Sequence, residues 1–525
     1  MNTATITPTI GRSAPEEAAL PPMRWWPSLG VAGAVIALLL SVSGRHGYHL
    51  DELYTRAASR HLDWGQIDQP PLVALVARIE TILFGDNLTA FRLVPALLIG
   101  VTVVLAGLVA RELGGNQRAQ LLATVAAAAS GLALHTGHIL GTNNFDVLVW
   151  VMVSWLVIRI VRTGDQRMWP AVGAVVGFGL HAKYLLVLLL LAFGAGLLVT
   201  GSRRALFSPY LPAGAGIALV IASPVLVWQV TNGWPQFEMA AALSTALAEL
   251  SRISFLPMQI LMIGLFLSPV WIAGLVALLR RAEWRPYRFV GIAYLLMVVV
   301  LLVMGAQAAY GAALQFVLLA AGCVVAERWA RTVVRRSLLG IAIVANLVTS
   351  AVLMLPVLPL QTYANNVLLQ QLAIVQFDQA GWPELTAQAA AVYRSLPAEE
   401  QARAVFYGNH YGQAGALDKH GAAYGLPPAY SGHNSYADFG VPADDKTVAI
   451  TIGVDRAQFS RLFADCRPAG TFEIGLPVSD LGQEFMVCRG PLEPWSQMWP
   501  KLRWIGFQCP YTAQAVTAAS KEGCV

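Results

Sequence analysis

Long apolar stretches recur along this chain, and they constrain its fold more than any other feature. Each approaches the roughly 20 residues that an α-helix needs to cross a bilayer. Hydrophobic residues make up 56% of the 525-residue chain and charged residues only 12%, a balance that a water-soluble protein could not bury in its core. The sequence therefore predicts a polytopic α-helical membrane protein. The clear apolar stretches lie at residues 27–44, 88–110, 119–140, 145–161, 210–229, 255–279, 287–304, 310–326 and 338–358.

One further apolar stretch, residues 168–200, is too long for one crossing and short for two. It would make a helix of roughly 50 Å. Loop charge decides between one crossing and two, because cytoplasmic loops are enriched in Arg and Lys. Keeping every basic loop on the cytoplasmic side requires 168–200 to cross twice, with a turn near 181–184, which gives about eleven spans in total. The basic loops contain Arg111 and Arg118; Arg159, Arg162 and Arg167; Arg203 and Arg204; Arg280, Arg281, Arg285 and Arg288; and Arg328, Arg331, Arg335 and Arg336.

This topology divides the chain into three parts. We expect a disordered cytoplasmic tail at residues 1–24, a membrane domain at 25–358 with an outer shelf at 45–87, and an extracytoplasmic soluble α/β domain at 359–525. No small-residue cleavage site follows the first apolar stretch, so we interpret that stretch as a retained span rather than a removed signal.

The C-terminal part alternates between helical and strand patterns, which is typical of an α/β layer fold. Four of the five cysteines lie there, and an extracytoplasmic location permits disulfides. Spacing does not establish connectivity: Cys466 with Cys488 is the favoured pair, and free thiols are the alternative. Cys323 lies in an apolar span, where packing is its expected role. The predicted elements are a helix at 384–393, a strand at 404–407, a helix at 413–424, a strand at 447–453 and a helix at 456–464.

Two adjacent carboxylates, Asp51 and Glu52, follow the first apolar stretch at the point where the chain returns to water. At the rim of a bilayer, an acidic pair can reach a water-soluble molecule and a lipid-borne one at once. Both residues are therefore candidate catalytic groups, with Tyr48 and Tyr54 on either side. The alternative is a solvated acidic turn that starts the next helix, where carboxylates are favoured by the helix dipole.

Lys183 and Asp146 are further ionisable candidates near the outer helix ends. The turn that contains Lys183 should lie below the outer surface, where an ammonium is costly unless it is paired or functional. A recessed cation facing outward acids is what a lipid-linked phosphate would need. Snorkelling to the interface is the alternative for Lys183, and capping of the next helix is the alternative for Asp146.

Two histidine pairs could hold a divalent metal. His135 and His138 share a helix face, and His46 and His49 repeat the spacing on the shelf. Neither pair is a closed ligand set, so a metal is a candidate cofactor and none is required. The net charge of +5 comes from loop arginines, so nucleic acid is not an expected partner. The glycine-rich run at 173–179 lacks a phosphate-loop signature and is better explained by close helix packing.

The order of several short motifs resembles glycosyltransferase family 39, the protein-mannosyltransferase-like group that includes bacterial aminoarabinose transferases. The resemblance covers most of the chain and rests on the order and topology of the motifs rather than on any one of them. The motifs are Asp51-Glu52, Pro70-Pro71-Leu72, Asn143-Asn144-Phe145-Asp146, Lys183-Tyr184, Asn232-Gly233-Trp234-Pro235, Gly381-Trp382-Pro383-Glu384-Leu385 and Ser431-Gly432-His433-Asn434-Ser435-Tyr436.

The resemblance implies a GT-C type membrane fold in the bacterial cytoplasmic (inner) membrane. It also implies transfer of a sugar from a polyprenyl-phosphate donor to an extracytoplasmic acceptor, which is a glycolipid, a glycan or a protein. Carried over to this chain, Asp51 matches the family's first-loop catalytic acid, Asp146 its second outer acid and Lys183 a basic residue of the donor site. Two departures leave the sugar open. Gln69 stands where aminoarabinose transferases have Lys, and Ala309-Tyr310-Gly311 replaces their Tyr-Tyr-Leu.

We therefore predict an inverting glycosyltransferase in which Asp51 is the base and Lys183 and Arg92 supply positive charge at the departing phosphate. The alternative is a secondary transporter or lipid flippase, although transporters place polar groups nearer the bilayer midplane. A binding module with a membrane anchor ranks last, because about eleven spans exceed what anchoring needs. The donor-side candidates are Lys183, Asp146, Asp68, Gln69, Arg92 and Tyr310, and the acceptor-side candidates are Tyr48, Tyr54 and Glu238. The expected partners are the lipid-linked donor, membrane lipid and the acceptor.

Overall fold

The structure, a computed structural model, describes residues 20–506. Most of the predicted N-terminal tail, together with Cys509 and Cys524, lies outside the described residues.

Helices dominate the chain up to residue 354. By length and composition, seven helices of the described range can cross a membrane, or nine when two bent pairs each count as one span. The bent pairs are α6 with α7 and part of α12 with α13, at 55° and 102°. The predicted total of roughly eleven also counts the two helices of the hairpin, α9 and α10, which have only 11 and 14 residues. The helices are α1 Trp25–Val42, α2 Leu50–Ala58, α3 Leu72–Phe84, α4 Leu88–Phe91, α5 Leu93–Glu112, α6 Gln117–Ala128, α7 Gly131–His138, α8 Thr142–Thr163, α9 Trp169–Gly179, α10 Leu186–Val199, α11 Tyr210–Thr231, α12 Pro235–Ile263, α13 Ser268–Arg280, α14 Arg288–Val303, α15 Gln315–Trp329 and α16 Val333–Met354.

The ambiguous apolar stretch folds as the predicted hairpin of α9 and α10. Gln166, just before α9, donates to the carbonyl oxygen of Arg204, after α10, at 3.1 Å. The Trp169 indole donates to the carbonyl oxygen of Ala205 at 3.0 Å. The two ends of the stretch therefore meet, and the turn with Lys183 lies at the opposite end of the helices.

The glycine-rich run of α9 serves helix packing, as expected. A Cβ atom at Gly173 would collide with the backbone of Gly214 in α11, so the two helices approach each other as closely as glycine permits.

The five basic loops meet at the end of the bundle that lies away from Lys183. Arg162 donates to Glu112 at 2.5 Å, and the Trp284 indole donates to the carbonyl oxygen of Leu113 at 3.1 Å. Arg328 contacts Glu283 at 2.5 Å. Ser202, in the loop that contains Arg203 and Arg204, donates to the carbonyl oxygen of Pro286 at 3.0 Å, so this loop lies with the others. These contacts give the one-sided arrangement of arginines that the topology prediction requires.

A mixed five-stranded sheet follows the last long helix. The strand order is β2-β1-β3-β5-β4, with β1 parallel to β2 and β3 and with β5 antiparallel to β3 and β4. The elements of this sheet domain (residues 360–502) are α17 Leu360–Ala364, α18 Val367–Leu372, α19 Ile374–Phe377, α20 Trp382–Arg394, α21 Ala398–Ala402, α22 Tyr411–His420, α23 Arg456–Phe459 and α24 Trp495–Leu502, with β1 Ala404–Gly408, β2 Ala429–Tyr430, β3 Val448–Ile452, β4 Phe463–Thr471 and β5 Glu484–Pro491.

The structure confirms four of the five predicted elements of this domain and corrects the last. The predicted helix at 456–464 ends at Phe459, and β4 begins at Phe463. β4 was missed because it contains Pro468 and Gly470 and lies at the sheet edge, where β5 and the predicted disulfide between Cys466 and Cys488 hold it. Cys323 is buried in α15, in agreement with a packing role.

The shelf and the sheet domain share one hydrophobic core. Leu50 and Leu53 of α2 are buried with Leu417 of α22 and Phe406 of β1. α2 therefore packs against α22, so the sheet domain fixes the orientation of the helix that carries Asp51 in its first turn.

Asp86 ties the shelf to the sheet domain by charge. Arg56 of α2 donates to its two carboxylate oxygens at 3.0 and 2.9 Å, and Lys419 of α22 forms an ion pair with it. Burial alone would raise the pKa of Asp86, but the hydrogen bonds from Arg56 and Lys419 outweigh burial and lower it to about 2. Tyr48, predicted on the acceptor side, is buried and directs its hydroxyl to Asp86 at 3.4 Å, so it contributes to this junction.

A fully buried ion pair between Glu52 and Arg92 joins the shelf to the bundle. The Arg92 guanidinium donates to the Glu52 carboxylate at 2.9 and 2.5 Å and to the carbonyl oxygens of Ser43 and Gly47 at 2.7 and 2.9 Å. The same carboxylate accepts the backbone N–H groups of His49, at 2.9 Å, and Leu140, at 3.0 Å. One pair thus fixes the chain after α1, the start of α2, the start of α5 and the linker between α7 and α8.

This geometry bears on two predicted roles. Glu52 was a catalytic candidate and Arg92 a donor-side candidate, but both side chains are 0% exposed. Their polar atoms are engaged inside the protein, and neither side chain is open to the cavity in this structure. Both hold the architecture of the site.

Replacing one member of this pair should be more damaging than replacing both. Arg92→Met or Glu52→Gln leaves a buried polar group without its partner, with an expected cost of about 3–5 kcal/mol. The double variant, with Arg92→Met and Glu52→Gln together, leaves no buried charge without its partner. It should therefore regain part of the lost free energy of unfolding. Thermal unfolding of the detergent-solubilised protein measures the effect. Glu283→Gln, in the exposed pair with Arg328, is the control and should behave like wild type. Equal unfolding temperatures for wild type and Arg92→Met would contradict this assignment.

Candidate active site

A cavity of about 210 Å³ opens where the shelf, the linker before α8 and α22 meet. We call it the Asp51 cavity. Its polar lining combines carboxylates, histidines, amides and tyrosines, which is the kind of lining that binds a polar substrate. Its polar lining residues are His49, Asp51, Tyr54, Thr55, Asp68, Gln69, His135, Thr136, Thr142, Asn143, Asn144 and Tyr411.

Asp51 presents a carboxylate to this cavity that is 53% exposed. It lies in the first turn of α2, and its position follows from the cap of that helix, in which the His49 side chain accepts the backbone N–H of Asp51 at 3.2 Å. Tyr411 of the sheet domain donates its hydroxyl to Asp51 Oδ1 at 2.7 Å. The carboxylate is therefore oriented from one side and open to solvent on the other.

His49 connects Asp51 to a second carboxylate. Its Nε2 lies 3.7 Å from Asp378 Oδ2, and its Nδ1 lies 3.7 Å from Asp51 Oδ2. Burial alone would lower the pKa of His49, but the neighbouring carboxylates of Asp378 and Asp51 outweigh burial and raise it. His49 was noticed only as part of a histidine pair, and its role as the helix cap could not be inferred from that spacing.

Asp68 is the second carboxylate of the Asp51 cavity. Tyr54 donates its hydroxyl to Asp68 at 2.6 Å, and burial raises the pKa of this carboxyl to about 6. Gln69 lines the same wall, with its amide donating to Gln66 at 3.0 Å. Tyr54, expected on the acceptor side, and Asp68 and Gln69, expected on the donor side, therefore lie in one cavity.

Lys183 lies beside this cavity and is held by three groups that sequence analysis had named. Its Nζ donates to Asn143 Oδ1 at 2.5 Å, lies 4.9 Å from the centre of the Tyr310 ring, and interacts electrostatically with Asp146, one turn further along α8. Since Asn143 lines the Asp51 cavity, the cation and the carboxylates occupy the same end of the bundle.

Two other candidates do not take part in the cavity. Glu238 is exposed in the first turn of α12 and does not line it. His138, proposed with His135 as a metal ligand, directs Nε2 towards Arg92 at 3.1 Å and Gln379 at 3.2 Å. A guanidinium beside that nitrogen disfavours a metal cation, and within residues 20–506 no three potential ligands converge on one metal-sized site.

Sequence analysis did not identify the part of the site that comes from the sheet domain. Tyr411 stacks on Tyr54 at 4.6 Å and on His433 at 4.5 Å. Ser435 accepts the backbone N–H of Ile67 at 2.7 Å. The motif at 431–436 had been recognised as part of the family resemblance, so a signal existed, but nothing in the sequence linked it to the shelf.

Comparison with known proteins agrees with this architecture. Residues 68–228 match the family model described as dolichyl-phosphate-mannose-protein mannosyltransferase. The structure is similar to the crystal structure of ArnT from Cupriavidus metallidurans bound to undecaprenyl phosphate, with 16% sequence identity, coverage of 87% of this chain and 97% of that chain, and a TM-score of 0.58. The chain has a GT-C type fold. The family match and the fold confirm the predicted class of enzyme, a membrane glycosyltransferase.

Two further solved structures are similar to this chain. The apo state of the same ArnT gives 16% identity, the same coverage of both chains and a TM-score of 0.57. The archaeal oligosaccharyltransferase AglB from Archaeoglobus fulgidus, in complex with an inhibitory peptide and a dolichol-phosphate, gives 13% identity, 82% of this chain, 69% of that chain and a TM-score of 0.46. No curated protein matches the chain by sequence.

The GT-C type glycosyltransferase should lose activity as the pH falls below about 6. The raised pKa of Asp68 means that its carboxyl is charged above about pH 6 and takes up a proton below it. The initial rate of glycosyl transfer between pH 5 and 8 measures this. Asp68→Asn, which is neutral throughout, should be slow at every pH and lack the acid decline near pH 6. A wild-type decline near pH 6 that persists unchanged in Asp68→Asn would show that another group causes it.

Proposed function

We propose that this enzyme transfers a sugar from a polyprenyl-phosphate donor to an extracytoplasmic acceptor, from a position in the bacterial cytoplasmic (inner) membrane. The single observation that carries the proposal is the combination of an open, oriented Asp51 carboxylate with a Lys183 ammonium at the same end of the bundle. The end that carries both lies away from the arginine loops, which favours an extracytoplasmic location.

Asp51 is the proposed general base. Its free side faces the cavity, where it would take the proton of an acceptor hydroxyl or phosphate as that group attacks the anomeric carbon. The new bond to the acceptor oxygen forms as the bond from the anomeric carbon to the phosphate oxygen breaks. One base and a good leaving group favour a single displacement with inversion. Tyr411 holds one carboxylate oxygen and leaves the other available.

Lys183 is the proposed partner of the departing phosphate. Its ammonium interacts with Asp146 and lies above the Tyr310 ring, and in the part of the chain that the structure describes no carboxylate forms a close ion pair with it. A cation at this position would neutralise a lipid-linked phosphate close to hydrocarbon. ArnT, whose fold this chain shares, was crystallised with undecaprenyl phosphate, which supports a donor of this class.

Asp68 has a proposed electrostatic role. Transfer at an anomeric carbon passes through a transition state with oxocarbenium character, so positive charge develops on the sugar ring. A second carboxylate in the same cavity would stabilise that charge without being consumed. The transporter or flippase alternative accounts for neither carboxylate, and its expectation of polar groups near the midplane is not met by this cluster at the helix ends.

Asp51→Asn should reduce glycosyl transfer by a factor of about 100 or more, because a general base contributes roughly that much. The assay uses purified full-length protein, a polyprenyl-phosphate sugar and an extract of envelope lipids and glycans, with products detected by mass spectrometry. Asp445→Asn is the matched control, since Asp445 is an exposed carboxylate of the sheet domain outside the cavity. Wild-type transfer by Asp51→Asn, with its thermal stability unchanged, would overturn the assignment.

Lys183→Met should raise the KM for the lipid-linked donor by about tenfold, since a charge-assisted contact to phosphate is lost. The KM for the acceptor should change little. Lys501→Met, at an exposed position on α24, is the control and should leave both constants unchanged. If the KM for the acceptor changed more than the KM for the donor, Lys183 would be assigned to the acceptor side and not to the donor side.

A further inference from the structure

A second cavity, of about 440 Å³, lies between the C-terminal end of α2 and the sheet domain. We call it the Arg60 pocket. Its volume is in the range of small-molecule binding sites. Its lining mixes aromatic and polar side chains, among them Arg60, His61, Asp418, Tyr430, Tyr436 and Phe439.

The walls of the Arg60 pocket present flat apolar faces. Tyr430, Pro427 and Pro428 line this part of the pocket. The His61 ring stacks on Phe439 at 4.7 Å with an angle of 5° between the planes, so these two rings cover each other on one face. Such faces suit the C–H surface of a sugar ring, while the hydroxyl and imidazole groups between them can bond sugar hydroxyls.

Charge in the Arg60 pocket favours an anion. The Asp418 carboxylate, which Tyr436 and the backbone of Ala429 bond, interacts electrostatically with both Arg60 and Arg56, so two cations face this one carboxylate. The Arg60 side chain is exposed and, among the residues described, donates no hydrogen bond and forms no ion pair. Its planar guanidinium is suited to bidentate recognition of a carboxylate or phosphate.

The Arg60 pocket is next to the Asp51 cavity. Tyr54, which lines the Asp51 cavity, stacks on Phe439 of the Arg60 pocket at 6.2 Å. Asp51 and Ala57 lie six positions apart on α2, or about 9 Å along the helix axis. An acceptor of more than one sugar unit would hold one end in the pocket and extend the other to Asp51.

We infer that the Arg60 pocket is the acceptor subsite of this enzyme and binds a saccharide that carries a carboxylate or a phosphate. The inference rests on the proposed function and names the acceptor class that the proposed function leaves open. Arg60 selects the anion, and the Tyr430 ring with the neighbouring prolines selects the sugar ring.

The inference is tested by measuring the binding of small probes, without any glycosyl transfer, by saturation-transfer NMR on the full-length protein in phosphatidylcholine nanodiscs. The probes are N-acetylglucosamine 6-phosphate, glucuronic acid, neutral N-acetylglucosamine and, as a competitor, inorganic phosphate. Both anionic sugars should bind at least fivefold more tightly than the neutral one, consistent with a charge-assisted contact. The phosphate and carboxylate probes show which anion is preferred. Arg60→Gln should weaken the binding of both anionic sugars about tenfold. Tyr430→Ala should weaken the binding of all three sugars.

Arg461→Gln is the matched control, because Arg461 is exposed on the sheet domain away from the pocket. It should bind every probe as wild type does. Equal binding of the neutral sugar, unchanged binding by Arg60→Gln, or no binding of any probe would overturn the inference. Competition by inorganic phosphate at the affinity of the phosphorylated sugar would also overturn it, because the pocket would then be a simple anion site. Asp51→Asn should bind all probes normally, so loss of transfer and loss of binding are separable.

Discussion

The ion pair between Glu52 and Arg92 is the interaction on which the rest of the site depends. It brings four segments to one point: the end of the first span, the start of α2, the start of α5 and the linker between α7 and α8. Two charges away from water are costly unless each is paired and hydrogen-bonded. Here the carboxylate and the guanidinium are both engaged by the surrounding backbone, so the cost is offset only in this arrangement. The pair therefore specifies the geometry of the site.

The sheet domain is part of the site. Its α22 packs on α2, its Tyr411 orients Asp51, and its Lys419 joins Arg56 on the Asp86 carboxylate. An aromatic stack from Trp504 through His433 and Tyr411 reaches Tyr54 of α2. The membrane helices contribute Lys183 and Asn143 to the other side. A substrate bound here would touch a lipid-embedded bundle and a water-exposed domain together, as transfer between a lipid-borne donor and an outer acceptor requires.

Two adjacent acidic residues have opposite environments in this chain. Asp51 and Glu52 are neighbours on α2, and successive residues of a helix point about 100° apart. Asp51 therefore faces the cavity, where it is 53% exposed, whereas the Glu52 side chain is 0% exposed against the bundle. Sequence analysis selected both, because composition and position do not distinguish the two faces of a helix whose neighbours are unknown. The same limitation applies to Arg92 and Tyr48, which were named as site candidates and are buried in this structure.

The sequence by itself determined the features that depend on local composition: the membrane class, the spans, the hairpin around Lys183, the end of the bundle that carries the acids, and most of the α/β pattern. Apolar length and loop charge act residue by residue, so they can be counted along the chain. Only the tertiary structure decided which polar groups meet. Tyr411 lies 360 positions from Asp51, and Lys419 meets Arg56 on Asp86. Such contacts arise from helix packing and from the need to satisfy buried charges, and these depend on all the neighbouring elements at once.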